Sequence, residues 1–421
     1  MTSISGYQSV DRLQSEDTDA GPFPLILPTF QAKTDTFTQE FRLGGGDDHF
    51  NWLAGLFYFD NKVDGHYLLD LTSLGFVFFD AVYTQKSAST AAFGQVEYAL
   101  ADSWKLIAGV RYAHDTKRLD YFNQDTSGFF TDVIGLPTNV AFDFSPATVG
   151  DLAREKNDSA SGKLELDFKP HDDLLVYGSI SRGTKSAGFN VGFLDQTGLF
   201  ATNTVATIPY GPEKLTSFEV GFKSTIANRT RLNGAAFYYD YKDFQTFRFE
   251  LLNQVIFNTD ATVYGVDLEL QSSPSDHLDL SLGFNYLDAT AKNIPRSSDP
   301  ADGFRDRRMV ASPKISANAM LRYHWPVGTG KVSVQAWGNY QSEEFFDIQN
   351  VPVSRQPGYA LGNLRVAYTA ADDRWEAAAF VHNIANKAHL SYTFDFTATF
   401  GFNQQAYGPP RWYGAEVRYK F

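Results

Sequence analysis

His277–Asp288 reads HLDLSLGFNYLD. In an extended chain successive side chains point to opposite faces. Leu278, Leu280, Leu282, Phe284 and Tyr286 therefore share one face, and Asp279, Ser281, Gly283 and Asn285 share the other. One apolar and one polar face over about ten residues is what a membrane-barrel strand requires, with lipid outside and water inside. The same period returns along the chain. Tyr264, Val266, Leu268 and Leu270 alternate with Gly265, Asp267, Glu269 and Gln271. Leu164, Leu166 and Phe168 alternate with Lys163, Glu165, Asp167 and Lys169. Val332, Val334, Ala336 and Tyr340 alternate with Lys331, Ser333, Gln335 and Asn339, although Trp337 interrupts that polar face. The chain ends on the same pattern, with Tyr413, Ala415, Val417, Tyr419 and Phe421 opposite Trp412, Gly414, Glu416, Arg418 and Lys420.

The composition agrees. Aromatics reach 15% while the mean hydropathy is only −0.29, a pairing that suits two-faced strands better than a packed globule. Trp104, Tyr112, Tyr286, Tyr340, Tyr368 and Phe421 lie where apolar faces stop, as interfacial girdles would. A soluble sandwich also alternates, and stays open as a fold, but it does not need those aromatics. No apolar run of about 18 residues occurs, so no helix spans a membrane. The formal charge of −13 removes the basic footprint that binding to nucleic acid requires. With no cysteine, disulfides and thiolate sites are excluded.

The connections alternate in length. Tight polar turns are expected at Gly45–His49, Ala101–Ser103, Pro170–Asp172, Ala227–Arg229, Pro274–Asp276, Val327–Gly330 and Ala371–Asp373. Between them run long segments: Asp11–Ala32, Lys62–Gln85, Asn123–Glu155, Ala187–Pro212, Thr246–Asp260, Asn293–Arg308, Asp347–Arg355 and Thr393–Tyr407. Short–long alternation sends every long loop to one side. The expected fold is all-β: a transmembrane antiparallel up-and-down barrel of about 16 strands, one unit over residues 1–421.

Several stretches resemble a known family. YGPPRWYGAEVRYKF (Tyr407–Phe421) resembles the last strand of TonB-dependent receptors, with Tyr419 and Phe421 as its terminal signature. PEKLTSFEVGFKS (Pro212–Ser224), LNGAAFYYDYKDFQ (Leu232–Gln245) and ATVYGVDLELQ (Ala261–Gln271) resemble successive barrel strands of that family. YGSISRGTKSAGFN (Tyr177–Asn190) resembles its Gly-x-Lys…Gly-Phe-Asn stretch. FVHNIANKAH (Phe380–His389) resembles its Asn-Leu-x-Asp/Asn-Lys segment, with Ile384 in place of the leucine. The resemblance runs from Ile4–Ser9 to Phe421.

It implies a bacterial outer-membrane location, with outer-membrane lipid, lipopolysaccharide and the barrel-assembly machinery as partners. Relatives are expected to import ferric siderophores, cobalamin or similar scarce nutrients, using energy relayed through TonB to a plug inside a barrel of about 22 strands. Against that pattern the sequence starts inside the barrel. The expectation is a partial barrel without signal or plug, hard to close and prone to aggregate, with TonB a partner only of the intact parent. The other function class that fits is a passive porin-like channel.

Candidate ligand-binding residues are Arg182 and Lys185 in the family-like stretch, Tyr239 and Tyr241 approaching a loop, and Arg305, Arg307 and Arg308 at a loop base. Guanidinium groups suit anionic chelates, and phenol rings stack on planar groups. The plain alternative for the arginines is pairing with Asp302 and Asp306 or with lipid phosphates. Gly44–Gly46 precedes no helix, so it reads as a turn and not a phosphate loop. The pairs Asp47–Asp48, Asp172–Asp173 and Asp372–Asp373 read as turn formers before they read as calcium ligands. No nucleophile elbow or paired-histidine metal motif occurs, so neither an enzyme nor a cofactor is expected.

Overall fold

The computed structural model describes residues 1–19, 21, 25–251, 253–296, 300–397 and 401–421. Sixteen long strands follow one another: β1 (Thr2–Ser15), β2 (Leu27–Gly46), β3 (Phe50–Asp70), β4 (Phe78–Ala101), β5 (Trp104–Asp125), β6 (Arg154–His171), β7 (Leu174–Lys185), β8 (Glu213–Ile226), β9 (Thr230–Glu250), β10 (Asn253–Ser275), β11 (Leu278–Pro295), β12 (Ile315–Val327), β13 (Gly330–Gln341), β14 (Tyr359–Thr369), β15 (Trp375–His382) and β16 (Trp412–Tyr419). Each pairs antiparallel with the next, an up-and-down order. Two short arms, Val140–Phe144 and Phe304–Arg308, extend the same sheet beside β5 and β11. Among the described residues, β1 pairs only with β2 and β16 only with β15.

The register carries out the alternation read from sequence. Val266 faces Tyr286, Leu268 faces Phe284 and Leu270 faces Leu282, while Asp267, Glu269 and Gln271 meet Asn285, Gly283 and Ser281. Phe218, Val220, Tyr238, Tyr264, Leu282 and Phe284 are exposed on the outer side, where a soluble protein would bury them. The inner side is polar and cross-linked. Tyr177 Oη donates to Glu219 Oε1 at 2.7 Å, and Ser181 and Ser217 share a hydrogen bond of 2.8 Å. Arg365 bridges Glu376 and Glu416. The odd aromatic, Trp337, packs edge-on against His382, whose ring stacks on Trp412 at 4.4 Å.

The strands are longer than the apolar pattern predicts. The segments Lys62–Gln85 and Thr246–Asp260, expected as loops, are mostly strand, because β3 reaches Asp70 and β9 reaches Glu250. Backbone pairing continues above the lipid band, where the outer face meets water and the inner face meets the cap, so the lipid-facing alternation ends. The turns at the other end are tight, as read. At Ala227–Asn228 both residues adopt positive φ (50° and 56°), the twist a short hairpin needs.

The buried apolar core lies at the loop ends of the strands and in the loops above them. A small cluster of Ala261, Ala291, Ile294 and Ile348 adjoins β10 and β11, and two larger clusters adjoin each other. One is built on Leu69, Leu71, Phe79, Phe130, Phe193 and Phe200, the other on Leu119, Tyr121, Phe144, Leu194 and Ile208. The upper ends of β3–β5 and the loops around 126–153 and 186–212 contribute these side chains.

Candidate functional site

The loop after β7 is the part of the sequence that most shapes the mouth. Its residues carry few charges and many backbone groups that must find partners inside the cap. Asn190 and Asn253 supply them. Asn253 Oδ1 accepts from Phe193 N at 2.7 Å, and its amide donates to the carbonyls of Phe193 and Phe200. Asn190 accepts from Ile256 N and donates to the carbonyls of Thr207 and Ile256. Tyr121 Oη donates to Gly192 O at 2.7 Å, and Lys117 Nζ to Ala187 O at 2.6 Å. Gly188 lies so close to Tyr210 that a Cβ there would sit 2.3 Å from the phenol oxygen. The Gly-Phe-Asn stretch is therefore a docking segment: glycine for close approach, Phe189 for the core, asparagine for the backbone.

The second family-like segment works in the same way. Asn383 and Asn386 adopt left-handed φ values of 51° and 50°, which asparagine tolerates better than most residues. Asn383 accepts from Lys387 N and donates to the Lys387 and Pro409 carbonyls. Asn386 Oδ1 accepts from Arg411 N at 2.9 Å. Together they tie the end of β15 to the start of β16.

These docked loops leave a cavity of about 290 Å³ at the loop end. Phe30, Phe193, Phe249, Tyr392, Phe394 and Phe396 form its aromatic wall, with Glu16, Thr18, Gln254 and Gln404 as polar edges. Phe249 meets Phe394 edge to face at 5.0 Å, and Tyr392 meets Phe394 at 4.5 Å. A small set of polar groups on an aromatic wall is the usual make-up of a small-molecule site.

The sequence-derived candidates sit elsewhere. Tyr239 and Tyr241 face the lumen, Tyr239 stacked on Phe237 at 4.8 Å and Tyr241 edge-on to Phe244 at 5.4 Å. Lys185 lies opposite Glu213 on the same wall. Arg182 shares its face with the exposed Ile180, so it points outward, away from the lumen that Lys185 faces. The even spacing from Ile180 decides this, and no local feature overrides it. Arg308 pairs with Glu343 at 3.0 Å and lies over the Phe345 ring, so its charge is already met, by a glutamate and not by the nearby aspartates. Arg307 carries a buried Nε without a hydrogen-bond partner, and Arg305 is exposed. The register puts Arg307 in one cross-strand row with Tyr241, through Ala261 and Ala291, while Arg308 is taken up by Glu343. The pocket aromatics were missed, although FRF (Phe247–Phe249) and YTFDF (Tyr392–Phe396) mark them by density alone.

Comparison with known proteins matches this architecture. The family described as TonB dependent receptor-like, beta-barrel, matches residues 2–384. The pesticin receptor of Yersinia pestis is 23% identical over 309 residues, covering 72% of this chain and 40% of that protein. The chain thus spans well under half the length of that curated relative. Among solved structures, the ferric yersiniabactin uptake receptor of Yersinia pestis superposes with a TM-score of 0.78 at 18% identity, over 100% of this chain and 58% of its own. The ferric preacinetobactin receptor of Acinetobacter baumannii superposes with a TM-score of 0.64 at 17% identity, over 94% and 55% respectively. The outward apolar band, the long loops on one side and the family match across most of the chain lead to one assignment: this chain belongs to the TonB-dependent receptors, as a β-barrel of the bacterial outer membrane.

Proposed function

We propose that the barrel forms the ligand-capturing wall of a receptor for a scarce nutrient carried as an aromatic chelate, with the ferric siderophore class the best fit. The observation that carries this reading is the aromatic cavity at the extracellular mouth, roofed by Phe249, Tyr392 and Phe394. Planar phenolate or catecholate rings gain by stacking edge to face on such a wall, about 0.5–1.5 kcal/mol per pair beyond area burial. Proteins with this fold include siderophore receptors, which supports the class but not the compound. Energy-driven uptake, relayed through TonB, is assigned to the whole receptor; the barrel supplies capture.

Binding to the detergent-extracted chain tests the idea. A ferric aryl chelate should bind at least tenfold more weakly to the double variant Phe249→Ala, Phe394→Ala, while weaker binding of ferric citrate should change little. Equal affinity for both proteins would remove the cavity from the argument. A steady ion conductance in planar bilayers, unaffected by any chelate, would favour the passive channel instead.

A further inference from the structure

The rings of the mouth cavity form a cage with a definite electrostatic sign. Phe394 and Phe396, two apart on the strand Leu390–Phe396, lie 5.8 Å apart with their planes only 12° from parallel. Phe249, from the tip of β9, stands at 85° and 75° to them. Phe30 and Phe193, 5.9 Å apart, add two more rings to the lining. The face of an aromatic ring is its negative side, and a cation within about 6 Å of the ring centre is attracted to it.

The charge beside these rings is an acid. Among the described residues that line the cavity, Glu16 alone carries a full charge; Thr18, Gln254, Gln404 and the Tyr392 phenol are neutral. The loop after β1 holds Glu16 at this edge, because Glu16 N donates to Pro28 O at 3.0 Å and Thr18 N to Ile26 O at 3.2 Å. Other acids of the cap are used up by the backbone of their own loops. Asp19 accepts from Gly21, Leu25 and Ile26, Asp125 from Ser127 and Phe130, and Asp195 from Thr197, Phe200 and Ala201. The Glu16 carboxylate has no such task. It accepts a hydrogen bond from the Gln14 amide, and Arg12 is joined to it only through that amide. Among the described residues no lysine or arginine pairs with it directly.

Size limits what can enter. A cavity of about 150 Å³ takes one benzene. The 290 Å³ here holds a ring or an alkylammonium arm, and not a whole ferric chelate. The phenolate oxygens of a chelate are turned toward its iron, so their negative charge stays with the metal outside the cage. Placed inside, it would meet ring faces and a carboxylate with no cation to offset them.

We infer that the arm of the ligand that enters this cavity is cationic: an ammonium group, protonated or quaternary, carried on the aryl chelate and held by Glu16 and the rings. The inference rests on the capture reading above and adds the sign of the charge.

Two iron(III) catecholate chelates that differ in one arm test it on the detergent-extracted full chain. One arm ends in trimethylammonium, the other in a tert-butyl group of the same shape. The wild type should bind the cationic chelate at least about tenfold more tightly. Glu16→Gln should cut that preference to about threefold or less, while Asp17→Asn, which removes an acid outside the cavity lining, should keep it in full. Matching thermal midpoints establish that the variants are folded. Equal affinity of the wild type for the two chelates would overturn the inference and leave capture standing. So would a preference that Glu16→Gln does not reduce, or that Asp17→Asn reduces as much. Failure of both chelates to bind the wild type would overturn the capture reading and this inference with it.

Discussion

Single side chains hold the mouth together more than they hold the wall. Asn253 makes three hydrogen bonds to a loop sixty residues before it. Asn253→Ala leaves those groups buried and unpaired, at a cost of about 2 kcal/mol. Proteolysis within 191–201 should accelerate about thirtyfold, with the strands uncut; an unchanged cleavage rate would deny Asn253 this role. Asp347 offers a pH test. Burial, reinforced by Asp395 and opposed by the Gln349 N–H, raises its folded pKa above the ordinary 3.8. Between the two values the folded chain binds the extra proton, so its stabilisation is present below 3.8 and is lost as pH rises through the folded value. Asp347→Asn keeps an acceptor for Gln349 and removes the titration. Its thermal midpoint should vary less between pH 4 and pH 7 than that of the wild type, and parallel curves would contradict the assignment.

At the scale of the strand, the two faces have opposite tolerances. Val220 on β8 lies between Gly178 and Ala236 on the outer face, six positions from the turn and two from Phe218. Val220→Arg puts a charge near the middle of the lipid band, at a cost of about 2–4 kcal/mol. Ser217→Lys, facing the lumen, should cost well under half of that. Urea unfolding in lipid vesicles measures both, and equal costs would argue that lipid does not cover the outer face. The same two-faced rule made the strands readable from HLDLSLGFNYLD onward. It stopped being informative above the band, where β3, β4 and β9 run on as paired strands with water outside and the cap or its cavity inside.

At the scale of the molecule, the protein has a wall without a core and a cap with one. Phe79 is fully buried and contacts Phe130, Phe193 and Phe200, so it joins three separate segments. Phe79→Ala should cost the cap about 3–5 kcal/mol of docking energy. Loops 126–153 and 186–212 should become protease-sensitive while the far-UV spectrum of the sheet is unchanged. Loss of the sheet signal together with the cap would mean that the two fold as one unit.

The sequence by itself determined the all-β class, the strand count, the side on which loops emerge and the family, because each rests on local periodicity, turn chemistry or ordered short motifs. It also marked the terminal Tyr419 and Phe421, the left-handed asparagines and the docking glycine as family features, without saying what they do. The tertiary structure decided everything that joins distant segments. It turned Arg182 outward, tied Arg308 to Glu343, and gathered aromatics from four chain segments around one cavity. Those outcomes depend on strand register and loop docking, which are set by the summed pairing of whole strands and carry no signature in any one stretch of chain.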